Sequence, residues 1–378
     1  MKVLIVSRGL PQPDNPTFGI FELDQARALE KSGVDVVFFA IDLRSIRRKR
    51  KFGISKTVNE GIRCYTISIP VGNVPANMFC QIGRWALNKL YDRVFIRETP
   101  PDIIHAHFFK QGYMASDLAR KTGIPLVITE HSSDMTRDRI SNKILNIAKE
   151  GYSQASAVIA VGNDLSRSIL KNTGIKCTII PNVVDTSLFA YSKLKEHGGY
   201  RFISVARFAP QKRQDMLIKA FHKVHCQHPD AVLELYGDGE LMPKVKELVK
   251  DYELQNVVSF HGRTSRIEIA EGLTQADCFV LLSERETFGV AYIEALAAGV
   301  PAIATICHGP EDFMTPEFGK LIHANNTEEA VDAMNYMYNH SSDFDREKIS
   351  IKIKEMYSGE VIAAQIKCVY KRILKDKK

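Results

Sequence analysis

The feature that most restricts how this chain can fold is its rhythm. Short apolar runs at residues 3–6, 34–41, 102–107, 125–130 and 157–161 read as buried strands. Between them, 21–31, 76–94, 113–121 and 144–154 carry helical spacing. The rhythm resumes with runs at 201–206, 231–236, 257–260, 278–282 and 301–305. Continuous apolar strands alternating with helices predict an α/β chain whose parallel sheets are covered on both faces. The pattern pauses over 185–199, a polar stretch ending in Gly198-Gly199, which is the best linker candidate. A length of 378 residues accommodates two Rossmann-like halves on either side of it. Ligands of such sheets bind beyond the carboxyl ends of the strands, so the polar residues that follow strands matter most.

Composition excludes several classes. A formal charge of +7 is thin for a nucleic-acid binder of this length. The seven cysteines, an odd number without a C-x-x-C pair, read as reduced interior thiols of a cytosolic protein. The N-terminal apolar run is too short for a signal peptide, and the nearly apolar run 289–306 is broken by Glu294 and Pro301. No segment is expected to span a membrane. Two dense basic runs, 44–51 and 367–378, read by default as solvated, with attraction to an anionic membrane surface carried beside that reading. The helix 76–94 adds Met78, Phe79, Ile82, Trp85 and Leu90, a stripe that is more often core than membrane face.

The chemistry concentrates after residue 200. Arg207 ends one strand and Lys212 precedes a helix, so the pair either converges on one anion, such as a diphosphate, or is two surface cations. Further on, Glu286 precedes a turn into a helix whose first N–H groups, at Phe288, Gly289 and Val290, suit a phosphate. Glu294 lies inside an Ala/Ile/Leu stripe and needs a polar partner, either vicinal ribose hydroxyls or a salt bridge.

With Pro181-Asn-Val-Val-Asp-Thr-Ser-Leu-Phe189, Tyr236-Gly-Asp-Gly239, Gln211-Lys212 and Glu-Ala-Leu-Ala-Ala-Gly-Val-Pro301, these segments resemble the retaining glycosyltransferases of family 4, which have the GT-B fold. The resemblance implies a nucleotide-sugar donor in the C-terminal half. It places Arg207 and Lys212 on the diphosphate, Glu294 on the ribose and Glu286 on the donor sugar. It also implies domains at 1–188 (acceptor-binding) and 189–356 (donor-binding), with 357–378 crossing back to the first. Three positions depart from the family pattern: Arg213 follows Lys212 where glycine is common, His308-Gly309-Pro310-Glu311 replaces paired glycines, and Gly359 stands where an aromatic is usual.

The N-terminal half is less explicit. Gly19 sits in a loop opening a helix, where it either lets backbone approach a phosphate or acceptor, or is simply part of a flexible loop. His105 and His107 share one face of a strand and read as stacked polar residues bordering a cleft. His131 follows the next strand and matches the family's active-site histidine, orienting donor hexose or acceptor; a helix-capping loop is the alternative. His222, His225 and His228 read as a solvated helix face rather than a metal site.

The expectation is therefore an enzyme that moves a sugar from a nucleoside diphosphate, a UDP-sugar favoured, to an acceptor hydroxyl on a saccharide or lipid-linked saccharide. Surface polysaccharide synthesis, retention of configuration and independence of metal or other cofactor come with the resemblance. The donor pocket is expected between the domains, closing by a hinge. The rivals are a nucleotide-sugar epimerase of similar fold and a non-catalytic nucleotide-sugar-binding protein. A nicotinamide dehydrogenase is excluded because Ser7-Arg8-Gly9-Leu10-Pro11 supplies no G-x-G-x-x-G.

Overall fold

The structure is a computed structural model and describes residues 1–12, 15, 17–45, 52–137, 139–193 and 198–377. Most of the basic run 44–51, part of the linker candidate 185–199 and Lys378 lie outside the described residues. Two compact units emerge: Met1–Val183 together with Gly359–Lys378, and Val184–Ser358.

The first unit opens with β1 (Lys2–Ser7), α1 (Ile20–Lys31), β2 (Asp35–Arg44), β3 (Gly53–Asn59), β4 (Ile62–Pro70) and α2 (Ala76–Phe95). It continues with β5 (Ile103–His107), α3 (Phe109–Thr122), β6 (Leu126–Glu130), α4 (Asn142–Ser153), β7 (Ala157–Ala160), α5 (Asn163–Thr173) and β8 (Thr178–Ile179). Its sheet has the order β3-β4-β2-β1-β5-β6-β7-β8. All pairs are parallel except β3 with β4. That hairpin departs from the all-parallel expectation for a local reason. Glu60 (φ 46°) and Gly61 (φ 89°) form a two-residue turn with both φ positive, the geometry that matches strand twist, and β3 is a mostly exposed edge. The central strands β5 and β6 are buried along their whole length: they start apolar and carry polar residues, His105, His107, Thr129 and Glu130, toward their carboxyl ends.

The second unit runs β9 (Tyr200–Val205), α6 (Gln214–Gln227), β10 (Ala231–Tyr236), α7 (Met242–Asp251), β11 (Val258–Gly262), α8 (Arg266–Thr274) and β12 (Cys278–Val280). After these come α9 (Val290–Ala297), β13 (Ala302–Ile306), β14 (Gly319–His323), α10 (Thr327–Asn339) and α11 (Arg346–Tyr357). The sheet is wholly parallel in the order β11-β10-β9-β12-β13-β14. The Tyr236-Gly-Asp-Gly239 motif locks two strand ends together: Ala206 N–H donates to Tyr236 O at 3.0 Å and Phe208 N–H to Asp238 O at 3.1 Å.

The last helix, α12 (Gly359–Asp376), belongs to the first unit. Ile362, Ala363, Ile366, Val369, Tyr370 and Ile373 recur at helical spacing and join the core made by Val3, Ile5, Leu23 and Ala26. The compact units divide at Val184. Val184 N–H donates to Tyr357 O at 3.0 Å and Val184 bridges Ser358, which ties this segment to the second unit.

Three expectations about side chains need correction. Cys64, Cys80, Cys278 and Cys307 are buried, but Cys226 and Cys368 are exposed, so the thiols are not all interior. On α2 the core face is Cys80, Gly83, Ala86, Leu87, Leu90 and Val94, while Met78 and Trp85 face solvent, because the stripe drifts across the helix surface. His222 and His228 stack on Tyr252 and Tyr338, and His225 Nδ1 bonds Ala231 O at 3.1 Å, so these rings are half-buried packing rather than a solvated face.

Candidate active site

In the second unit β9 ends at Val205, and a short 3₁₀ turn over Pro210–Lys212 delivers Lys212 to the start of α6. Lys212 Nζ donates to Glu286 Oε1, which also accepts from Ser283 Oγ at 2.8 Å. The ammonium and carboxylate retain 19% and 12% exposure, low enough that each depends on the other for solvation yet reachable by a ligand. Arg207 does not join them. Its side chain is exposed and forms no hydrogen bond or ion pair among the described residues. Arg213, where glycine is common in the resembling family, occupies left-handed backbone at φ 49°. Ion pairs to Asp215 (3.1 Å) and Glu284 (2.8 Å) hold it there against a strain of about 1–2 kcal/mol.

Gly289 (φ 93°) caps α9, whose first turn presents free N–H groups and the positive end of the helix dipole. Phe288 contributes backbone only, because its ring is buried against Phe313 and Tyr357. The loop after β13 closes over this turn. A Cβ on Gly309 would stand 2.9 Å from Phe288 O and 3.0 Å from Glu286 Cβ, so only glycine lets the two backbones approach so closely. Glu311 holds that loop, accepting from His308 N–H at 2.9 Å. Glu294 has a protein partner: Arg266 NH2 donates to its Oε1 at 2.8 Å while the guanidinium lies 5.2 Å from the Phe189 ring centre.

In the first unit a buried polar chain crosses the carboxyl ends of β5 and β6. Tyr370 OH lies 2.5 Å from His105 Nδ1, and Thr129 Oγ1 is 2.7 Å from His105 Nε2. Gln25 Nε2 stands 3.4 Å from both His105 Nδ1 and His107 Nε2, and His107 Nδ1 is 3.0 Å from His131 Nε2. The rings of His105, His107 and His131 stack in series at 4.9 and 5.2 Å. Burial pushes His105 down to about 3 and His131 down to about 4, and holds His107 well below its ordinary value, so all three are neutral imidazoles at pH 7. His131 Nδ1 is buried with no partner at hydrogen-bonding geometry, although Asn182 neighbours the ring. His131 is thus the end of the chain at which a ring nitrogen stays unsatisfied among the described residues.

Burial also pushes the Glu130 carboxyl up to about 7, opposed by Tyr152 OH at 2.5 Å and the N–H groups of His131 and Ser132. Glu130 therefore shapes the loop that carries His131. Gly19 is a structural requirement: at φ 76°, a Cβ there would stand 2.2 Å from Gly9 O. Its position is set by this backbone crossing at the start of α1 and not by loop flexibility.

Sequence reasoning overlooked Ser283, Arg266, Arg8 and Glu22. Arg8 follows β1 directly, and the strand-end rule that singled out Arg207 points to it equally. It donates to the fully buried Glu22 at 3.0 Å. Arg266 carries no such signal, since a pairing 28 residues away is a product of tertiary structure.

A family model described as glycosyl transferases group 1 matches residues 189–356, and one described as Glycosyltransferase Family 4 matches residues 22–188. The N-acetyl-alpha-D-glucosaminyl L-malate synthase of Bacillus anthracis is 28% identical over 297 residues, which is 73% of this chain and 76% of that protein. The putative teichuronic acid biosynthesis glycosyltransferase TuaC of Bacillus subtilis is 27% identical over 345 residues, covering 85% and 84%. Among solved structures, HepE of Anabaena in complex with UDP-glucose superimposes with a TM-score of 0.72 at 18% identity, over 97% of this chain and 98% of that one, a likeness of fold.

Proposed function

Since this chain belongs to glycosyltransferase family 4 and has the GT-B fold, we propose that it moves a sugar from a nucleoside diphosphate to an acceptor hydroxyl with retention of configuration. The observation that carries the reading is the cluster in the second unit. Lys212, Glu286 and Ser283 meet in one hydrogen-bonded group, and α9, which has no side-chain cap, starts four residues after Glu286.

In the reaction the bond from the anomeric carbon to the diphosphate oxygen breaks, and negative charge builds on the leaving phosphate. A fixed cation and oriented N–H groups lower that barrier because they need no reorganisation. Lys212 and the first turn of α9 supply them, with no metal required by this arrangement. The acceptor oxygen forms its new bond on the face the diphosphate leaves, and its proton passes to the departing phosphate oxygen. Glu286 then orients the donor sugar. Glu294, already held by Arg266, takes the ribose hydroxyls as further partners. Arg207 joins the diphosphate only by reorienting from its exposed position. His131 offers a neutral ring nitrogen to the hexose or the acceptor.

UDP-sugars head the candidates for the donor, because a protein of the same fold holds UDP-glucose. Synthesis of a surface polysaccharide is the favoured setting, supported by the relative assigned to teichuronic acid biosynthesis. No helix of the described residues is long and apolar enough to cross a membrane. The test is a panel of UDP-, GDP- and ADP-sugars, scored for release of nucleoside diphosphate with and without EDTA. One donor is expected to turn over in both conditions. Binding without turnover across the panel would favour a non-catalytic binder, and interconversion of sugars without any acceptor an epimerase.

A further inference from the structure

The first unit has a cavity of about 300 Å³ beyond the carboxyl ends of β1, β2, β5 and β6. In the sheet β1 lies between β2 and β5, so the chain leaves β1 toward one side and later fills the other. Such a switch point is where an open α/β sheet leaves a crevice. Among its lining residues are Arg8, Arg44, Lys110, Gln111, Phe108 and Asp134.

The polar atoms there are unequally satisfied. Arg8 Nε is held by Glu22, and Asp134 is neutralised by Arg137 at 2.7 Å. Arg44 grips Asp42 through Nε and NH2 at 2.6 and 2.9 Å, which leaves its buried NH1 without a partner among the described residues. Lys110 has no hydrogen bond or ion pair among the described residues; its Nζ rests 5.6–5.8 Å from the ring centres of Phe109 and Phe79. Gln111 is 4% exposed and its Oε1 has no donor. An unpaired ammonium and two buried polar atoms unpartnered among the described residues, one a donor and one an acceptor, therefore belong to residues around one small space.

The backbone agrees. α3 starts at this cavity without a side-chain cap, so the positive end of its dipole adds to Lys110. Phe108, just before it, sits at φ 70°, an unusual conformation for a bulky residue. Its ring is sandwiched between the Arg8 guanidinium (3.6 Å) and the His131 ring (4.9 Å), which fixes the cavity beside the histidine chain.

We infer that the acceptor carries a single oxyanion, a carboxylate or a phosphate, seated on Lys110 and Arg44 NH1, with a neighbouring hydroxyl donating to Gln111. This rests on the glycosyltransferase reading. The probes are methyl glucuronide, glucose 6-phosphate and neutral methyl glucoside, each tried as acceptor and each titrated calorimetrically without donor. The wild-type protein is expected to bind at least one anionic probe tenfold or more tightly than the neutral one, with the same order in KM. Whichever anion leads identifies the group. Lys110→Glu is expected to erase that preference, with Lys110→Arg restoring much of it. Equal binding of all three probes, or a preference that survives Lys110→Glu, overturns the inference. Donor-free calorimetry reads the preference even if no sugar transfer is found, so failure of the catalytic reading is separately visible.

Discussion

Acidification provides a sharp test of the buried histidine chain. A histidine whose folded-state pKa is depressed contributes stability above its ordinary value of 6.5, and that stability is lost as pH falls toward the folded value. His105 and His131, at about 3 and about 4, stay neutral in the folded protein at pH 5, whereas the unfolded chain has taken up both protons. Between pH 7 and pH 5 each therefore loses about 2 kcal/mol, from 1.36 kcal/mol per pH unit below 6.5. His107 acts in the same direction. Glu130 opposes them: raised to about 7 from 4.5, it is protonated earlier in the folded state and returns about 2 kcal/mol over the same interval. The first unit should thus be less stable at pH 5 than at pH 7 by at least about 2 kcal/mol. Trp85, the single tryptophan, lies in α2 of that unit and reports urea unfolding by fluorescence. His105→Gln, which keeps polar atoms for Tyr370 and Thr129, should flatten the pH dependence by about 2 kcal/mol. A midpoint that is flat or rises on acidification would refute the burial argument.

Other perturbations separate fold from site. Gly19→Ala sets a Cβ against Gly9 O at positive φ and should cost more than about 1 kcal/mol, read as a lower urea midpoint. Deleting α12 from residue 359 removes six buried side chains, among them three Ile and one Val at about 1.5–3 kcal/mol each, so the first unit should lose its cooperative transition. Arg266→Met strips the ion pair from a Glu294 carboxylate that is 13% exposed. It should destabilise the second unit by about 1–3 kcal/mol and weaken donor binding, and unchanged calorimetry on both counts would contradict the role assigned to that pair.

Much of the architecture was legible because period and burial are linked. Strands buried on both faces, such as β1, β5 and β6, need apolar stretches like Val3–Val6, Ile103–Ile104 and Leu126–Ile128, so they are visible in the residues. The β3–β4 hairpin was not, because an exposed edge strand such as Gly53–Asn59 carries no apolar run, although Glu60-Gly61 marked its turn. The site divided similarly. Lys212 and Glu286 stand just before helix starts and Glu294 lies one turn into α9, positions that short motifs mark. Their partners Ser283 and Arg266 are chosen by packing, as is the position of His131 at the end of a chain reaching Tyr370 in the last helix. Arg207 shows the converse: its strand end is legible in the residues, but the direction of an exposed side chain is not fixed by where its backbone lies.

Lys212 acting on the leaving diphosphate is the central step of the proposed reaction. The direct measurement is steady-state transfer by Lys212→Ala with the donor that the wild-type enzyme prefers, alongside a urea melt to verify folding. Losing a preorganised charge at the departing oxygen should lower kcat/KM by about 10²–10³-fold in a protein that still folds. Transfer at the wild-type rate by a folded Lys212→Ala protein would contradict it.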